Sequence, residues 1–173
     1  MSNPKKIILF LVPLFILFIS LTNTGCGVYS FVDVSIPDSI KTVRINFIEN
    51  RAPYVNPQLS PSLTERIRQK IVNQTRLNQT NNENAHYDVT GWVSDYSLST
   101  TGISEKREVT NRLTVAVHII VNNQLSNTKQ EFDISRNFEF EASLSLQQAE
   151  NRLLDEMVRN LTDDIFNRMF SNW

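Results

Sequence analysis

The chain has 173 residues, with 17 Lys and Arg set against 18 Asp and Glu, two His and one Cys. A balance this close to neutral argues against a general nucleic-acid binder, which shows a basic excess or stripe, and a single cysteine leaves no partner for an intrachain disulfide. Four glycines in the whole chain are too few for loops in which backbone amides crowd around a phosphate, so P-loop and dinucleotide folds are excluded.

In chain order, Lys5 and Lys6 precede an uncharged apolar run from Ile7 to Leu21, and the small-residue run Thr22-Asn23-Thr24-Gly25 leads into Cys26. That is the build of a bacterial secretory signal. The run is shorter than the roughly 20 residues that span a bilayer, and Pro13 interrupts it, so a permanent transmembrane helix is the weaker expectation. Residues 1–25 are therefore expected to be a signal peptide, and the next residue, Cys26, the site of lipid attachment. The alternative is a signal, cleaved or not, followed by an incidental free cysteine. Removing 25 of the 173 residues leaves 148, with 15 basic residues against 18 acidic, a length that suits one domain.

Residues 26–39 read as an acylated tether and 40–173 as a single domain. Lys41 to Ile48 alternates Val43, Ile45 and Phe47 with Thr42, Arg44 and Asn46, the period of a half-buried strand. Glu49 to Pro57 is a connector rich in Pro and Asn. A helix is expected from Gln58 or Pro61 to about Arg76, with Leu59, Leu63, Ile67 and Ile71 on its apolar stripe. Ser60 or Ser62 would cap it. Asn73 to Asn84 reads as a polar loop.

His86 to Leu98 reads as a strand with Tyr87, Val89, Gly91 and Val93 on one face and Asp88, Thr90, Trp92 and Tyr96 on the other. Gly91 marks a bulge or a close approach, which a crossing helix would explain. Arg112 to Asn122 is the strongest strand, with Leu113, Val115, Val117, Ile119 and Val121 in phase, and Gln130 to Glu141 follows with Phe132, Ile134, Phe138 and Phe140 in phase around Arg136. Polar turns between successive strands predict an antiparallel meander. Between the first two of these strands, Ser99 to Val109 is either a hairpin tip or a continuation of both strands. The last element is a long helix, opened by a capping box at Ser145 and Gln148 and running to about Phe170.

Two amphipathic helices satisfy about four one-sided strands if both helices cover the same face. The expected fold is therefore α+β, two helices packed on one face of a roughly four-stranded sheet in the order β-α-β-β-β-α. The opposite face has no helix to cover it. Trp92, Tyr96 and Ile120 on that face form an apolar patch expected to meet a partner.

Catalytic chemistry has little to stand on, and the expectation is that the protein is not an enzyme. His86 and His118 lie on separate strands without cysteines or locally spaced acids, so no metal site and no cofactor is expected. No Gly-x-Ser-x-Gly elbow occurs, and Asp163 and Asp164 sit late in a helix where acids are ordinarily solvated. The charged stretch near the tip is more suggestive. Lys106, Arg107 and Arg112 cluster there and could grip phosphate or sugar-acid groups, the alternative being an ordinary solvated charge run.

Several segments in this order carry a resemblance. Cys26-Gly27-Val28-Tyr29-Ser30-Phe31 resembles a lipoprotein attachment motif in which Gly25 fits, although Asn23 stands where Leu is usual. It is followed by Ile40-Lys41-Thr42-Val43-x-Ile45-x-Phe47-x-Glu49-Asn50, the run Leu59 to Ile67, Tyr87-Asp88-Val89-x-Gly91-x-Val93-x-x-Tyr96, Arg112-Leu113-Thr114-Val115 and a terminal helix ending at Trp173. The ordered set resembles the lipopolysaccharide-assembly lipoproteins, LptE. That resemblance implies two helices on a four-stranded sheet, anchored at the periplasmic side of the outer membrane. It also implies a plug for the LptD β-barrel that helps the barrel fold and deliver lipopolysaccharide to the outer leaflet. Gly27, rather than the Asp that retains some lipoproteins in the inner membrane, points the same way. The rival expectations are a structural or pilot lipoprotein for another barrel or a secretin, and a periplasmic lipid-binding carrier.

Overall fold

The computed structural model describes residues 36–101 and 110–170. The leader, Cys26, Lys106 and Arg107 lie outside the described residues. The elements are β1 (Thr42–Ile45), β2 (Glu49–Asn50), α1 (Leu59–Gln74), β3 (Asn78–Gln79), β4 (Tyr87–Thr101), β5 (Thr110–Asn123), β6 (Thr128–Glu141) and α2 (Leu146–Phe170). The α+β order expected from the sequence is therefore present, with two additional strands of two residues each.

The sheet runs β3-β1-β4-β5-β6, with β2 also paired to β4. Strands β4, β5 and β6 form the antiparallel meander, while β1 and β2 join β4 in parallel. Turn chemistry holds the last hairpin: Asn127 takes a positive φ of 53°, which asparagine tolerates better than most residues, and the Asn123 side chain accepts from the Leu125 and Ser126 amides.

Both helices lie on one side of the sheet. Leu113, Val115, Val117 and Ile119 of β5 are fully buried between the layers, beneath Leu59, Leu63, Ile67 and Ile71 of α1 and Met157, Leu161 and Ile165 of α2. The four-residue spacing read for the first helix is thus the packing stripe, and Met157, Leu161 and Ile165 repeat it in α2. The start of α2 is the expected capping box: the Ser145 amide donates to Gln148 Oε1 at 3.0 Å and the Gln148 amide to Ser145 Oγ at 3.3 Å. The start of α1 is different, because neither Ser60 nor Ser62 caps it. Gln58 occupies the cap without a side-chain bond, and Asn56 Oδ1 accepts from the Gln58 amide instead.

Three further expectations are corrected. The first strand ends at Ile45, and the step through Asn46 changes the phase, so Phe47 is 52% exposed and Ile48 takes the core position. The polar stretch after α1 is not all loop, because Leu77 is buried and Asn78–Gln79 pairs with β1. Gly91 makes room for a strand and not for a helix. A Cβ there would lie 2.6 Å from the His118 carbonyl oxygen and 2.7 Å from Ile119 Cδ1.

Gly91→Ala therefore forces β4 away from β5 at the middle of the sheet. The expected cost is about 1–3 kcal/mol, read as a lower midpoint in thermal unfolding followed by circular dichroism. An unchanged midpoint contradicts the close approach.

Candidate functional site on the open face of the sheet

The face without helices is built from the outward residues of the long strands. Across one row, Glu49 of β2 stands opposite Trp92 of β4, Trp92 opposite His118 of β5, and His118 opposite Asp133 of β6. Arg51, just past β2, places its guanidinium carbon 4.5 Å from the Trp92 ring centroid, close enough for cation–π attraction. It is held there by Glu49 at 2.9 Å. His118 stacks on the other side of β4, with ring centroids 4.3 Å apart.

The imidazole is itself enclosed by acids. Its Nδ1 is 2.8 Å from Asp133 Oδ1, and its Nε2 lies 2.9 Å from Glu131 without hydrogen-bond alignment. Lys129 approaches Glu131 at 2.6 Å, and lysine first and histidine second hold the Glu131 carboxyl below its usual range. This constellation was not legible as a motif, because Glu131 and Asp133 are near His118 only through the β5–β6 register. Alternation of acids along β6, opposite a histidine in β5, was the available signal.

A second row lies nearer the start of β4. Arg44 grips Asp88 through Nε at 2.8 Å and Nη2 at 3.1 Å, and Asn46 Nδ2 donates to the same carboxylate at 2.8 Å. The Arg44 hydrogen bonds, followed by that of Asn46, hold the Asp88 carboxyl below its usual range against the opposing effect of burial.

Of the predicted partner residues, Trp92 and Ile120 are half-buried on this open face. Tyr96 is not there. The ladder slips between Val93 and Asp95, leaving Ser94 without a partner in the register, and this bulge inverts the facing of the residues beyond it. Tyr96 is consequently buried. Its hydroxyl donates to Glu150 Oε1 at 2.8 Å and accepts from Asn56 Nδ2 at 3.2 Å, its ring stacks on Tyr54 at 5.4 Å, and burial first of all pushes its phenol pKa upward. The face is thus a lattice of matched charges around one indole, not an apolar patch.

Of the basic candidates, Arg112 faces outward near the start of β5, with Nη2 3.0 Å from Glu139 Oε1. The β4–β5 ladder continues to the Thr101–Thr110 pair, so both strands extend as far as the segment that carries Lys106 and Arg107. His86 is structural: its Nδ1 accepts from the Lys41 amide at 2.9 Å. Asp163 and Asp164 are paired too, with Lys70 of α1 and Arg136 of β6 respectively.

Fold and face together define a two-layer α+β domain whose exposed sheet surface is fixed by lateral ion pairs. The chain belongs to the LptE family of lipopolysaccharide assembly, whose model matches residues 40–169. Among solved structures it is similar to a putative neuraminyllactose-binding hemagglutinin homolog from Helicobacter pylori, at 9% identity and a TM-score of 0.55, over 82% of this chain and 89% of that one. It is also similar to a hypothetical protein, CT253, from Chlamydia trachomatis (12% identity, TM-score 0.49, 77% and 99% covered) and to a minor lipoprotein from Acinetobacter baumannii (14%, 0.47, 76% and 97%). At 9% identity the first is a likeness of fold, and neither of the others reaches a TM-score of 0.5. No match was found among curated proteins.

The Arg44–Asp88 pair gives the face a pH signature. Because the folded Asp88 pKa is lowered, its stabilisation is present above the ordinary carboxylate value of 3.8 and is lost as pH falls through the depressed folded value. Asp88→Asn should cost about 1–3 kcal/mol at neutral pH, and the gap to the unsubstituted chain should narrow steadily as urea melts are taken below pH 3.8. A gap that stays constant over that range contradicts the assignment.

Proposed function

We propose that this protein is an outer-membrane lipoprotein that plugs an LptD-like β-barrel, helps that barrel assemble, and assists delivery of lipopolysaccharide to the outer leaflet. It is held on the periplasmic side by acylation of Cys26, with residues 26–39 as the tether, whose last residues are docked on the domain where Ile36 is buried and Arg76 meets Asp38. The observation that carries this is the LptE family match over residues 40–169, which spans α1, every described strand and all but the last residue of α2. The role asks for binding surfaces and no reaction. On the open face the histidine, indole and acids are engaged with one another. Among the described residues, no group of three or more His, Cys, Asp or Glu is placed to hold a metal ion.

A plug inside a barrel lumen meets a wall of alternating polar side chains. A rigid sheet face presenting Arg51, Arg112, Glu131, Asp133 and Glu139 suits such a wall better than an oily patch would, because rim charges fix register and partner choice. Lipopolysaccharide carries anionic groups, and Lys106 and Arg107, which fall between β4 and β5 in the sequence, with Arg112 of β5, are the residues proposed to meet them.

Two measurements test this. Affinity purification of the tagged full chain from detergent-solubilised membranes is expected to recover an LptD-like barrel, and its absence sinks the plug role. Separately, Lys106→Glu combined with Arg107→Glu should weaken binding of labelled lipopolysaccharide by about tenfold or more, as expected when two charge-assisted contacts are reversed, while the barrel complex is still recovered. Unchanged lipopolysaccharide binding removes the tip as the contact.

A further inference from the structure

Strand β6 is the last strand of the sheet. All fourteen of its residues pair with β5 without a register shift, and it contains neither Pro nor Gly. Among the described residues, no backbone group of β6 is bonded to main chain on the side away from β5; the only loop bond it enters is the Leu144 amide to the Glu141 carbonyl, in the turn that ends it. A long, regular, unpaired edge is a template for another strand.

A second observation lies along the same edge. Where β6 ends over the first turns of α2 there is a cleft of about 330 Å³, floored by Phe140, Leu144, Ala149 and Leu153. Arg152 at its mouth has no ion-pair partner among the described residues. The lining takes Thr110 from β5, Phe140 from the core face of β6 and Glu139 and Glu141 from the other, so the cleft lies at the end of the β5–β6 ladder, beside the last residues of the β6 edge. Unpaired main chain with a side-chain pocket beside it is the arrangement of peptide recognition by strand addition, in which the main chain supplies affinity and the pocket supplies specificity.

We propose that β6 is a docking edge for an extended segment of a partner protein that adds to the sheet as a further strand. The segment is amphipathic. Its residues on the helix side are apolar, one of them filling the Phe140–Leu153 cleft. Its residues on the open side are basic, because the outward row of β6 carries Glu131, Asp133, Glu139 and Glu141, whose charge Lys129 beside Glu131 and Arg112 beside Glu139 offset only in part, and opposite charges across a strand pair stabilise it. A second copy of this chain is the poorer occupant. Two β6 edges paired about a two-fold axis would set these acidic rows against each other.

The probe is a synthetic peptide of about eight alternating valines and lysines, a typical strand length, titrated by fluorescence anisotropy against the full chain in zwitterionic nanodiscs, with empty nanodiscs as the blank. Saturable binding is expected. N-methylation of backbone amides at alternate positions should abolish binding in one phase and leave the other phase intact, since only one set of amides faces the edge. Replacing the lysines by glutamates should weaken binding about tenfold or more, and so should Leu153→Lys in a protein whose thermal midpoint is unchanged. No saturable binding, or equal loss from both methylation phases, overturns the proposal. So does a dimer in sedimentation velocity that the peptide dissolves, because that makes a second copy the natural occupant. None of these readouts involves the barrel or lipopolysaccharide.

Discussion

The structure depends on burying one face of β5. Leu113, Val115, Val117, Ile119 and Val121 point the same way and are nearly or wholly excluded from solvent, a contribution on the order of 10 kcal/mol when each side chain is worth about 1.5–3. A single strand cannot shield such a row. It needs β4 and β6 on either side and two helical stripes beneath, and the four-residue spacings in α1 and α2 supply them. Once both helices are committed to that face, the other face has to be stable against water without a second layer.

That requirement explains the chemistry of the open face. Residues there satisfy one another sideways, along rows that cross the strands: Arg44 with Asp88 and Asn46, Arg51 with Glu49 and Trp92, His118 with Asp133, Arg112 with Glu139. Exposed pairs of this kind contribute little each to stability, but they fix where every charge stands. The acids of α2 do the same on the covered side, where Asp163 ties the helix to Lys70 of α1 and Asp164 ties it to Arg136 on β6. Arg136 thus interrupts the apolar phase of β6 in order to clamp the helix to the edge strand.

Legibility in the sequence tracks how local each signal is. Helical stripes, the Ser145–Gln148 cap and the alternation in β5 are each written within a few residues, and each appears in the structure as expected. The failures at Phe47 and Tyr96 involve phase and register, whereas the missed α1 cap and the strand at Asn78–Gln79 depend on partners distant in sequence or outside the expected motif. Phe47 looks like the next core residue after Val43 and Ile45 until the chain leaves the strand at Asn46 and Ile48 enters the core. Tyr96 looks outward until one unpaired residue, Ser94, turns it inward. A bulge has no composition of its own, so counting by twos carries past it undetected. The enclosure of His118 was hidden for a related reason, because its acids come from another strand and only the pairing of β5 with β6 brings them near.

The bulge also joins fold and surface. Without it, Tyr96 would add an aromatic ring to the open face and leave Glu150 buried at the start of α2 without its closest hydroxyl donor. With it, Tyr96 closes a network with Glu150, Asn56 and Tyr54 that pins the β2–α1 connector and the start of α2 to β4. Asn56 in turn supplies the acceptor for the first turn of α1, through the Gln58 amide. One inserted residue therefore secures the beginnings of both helices and keeps the exposed face polar. Beyond this point β4 and β5 continue as a ladder to Thr101 and Thr110. At about 50 Å for its fifteen residues, β4 is longer than the roughly 37 Å of α2, and the Tyr96 network ties it to the starts of both helices.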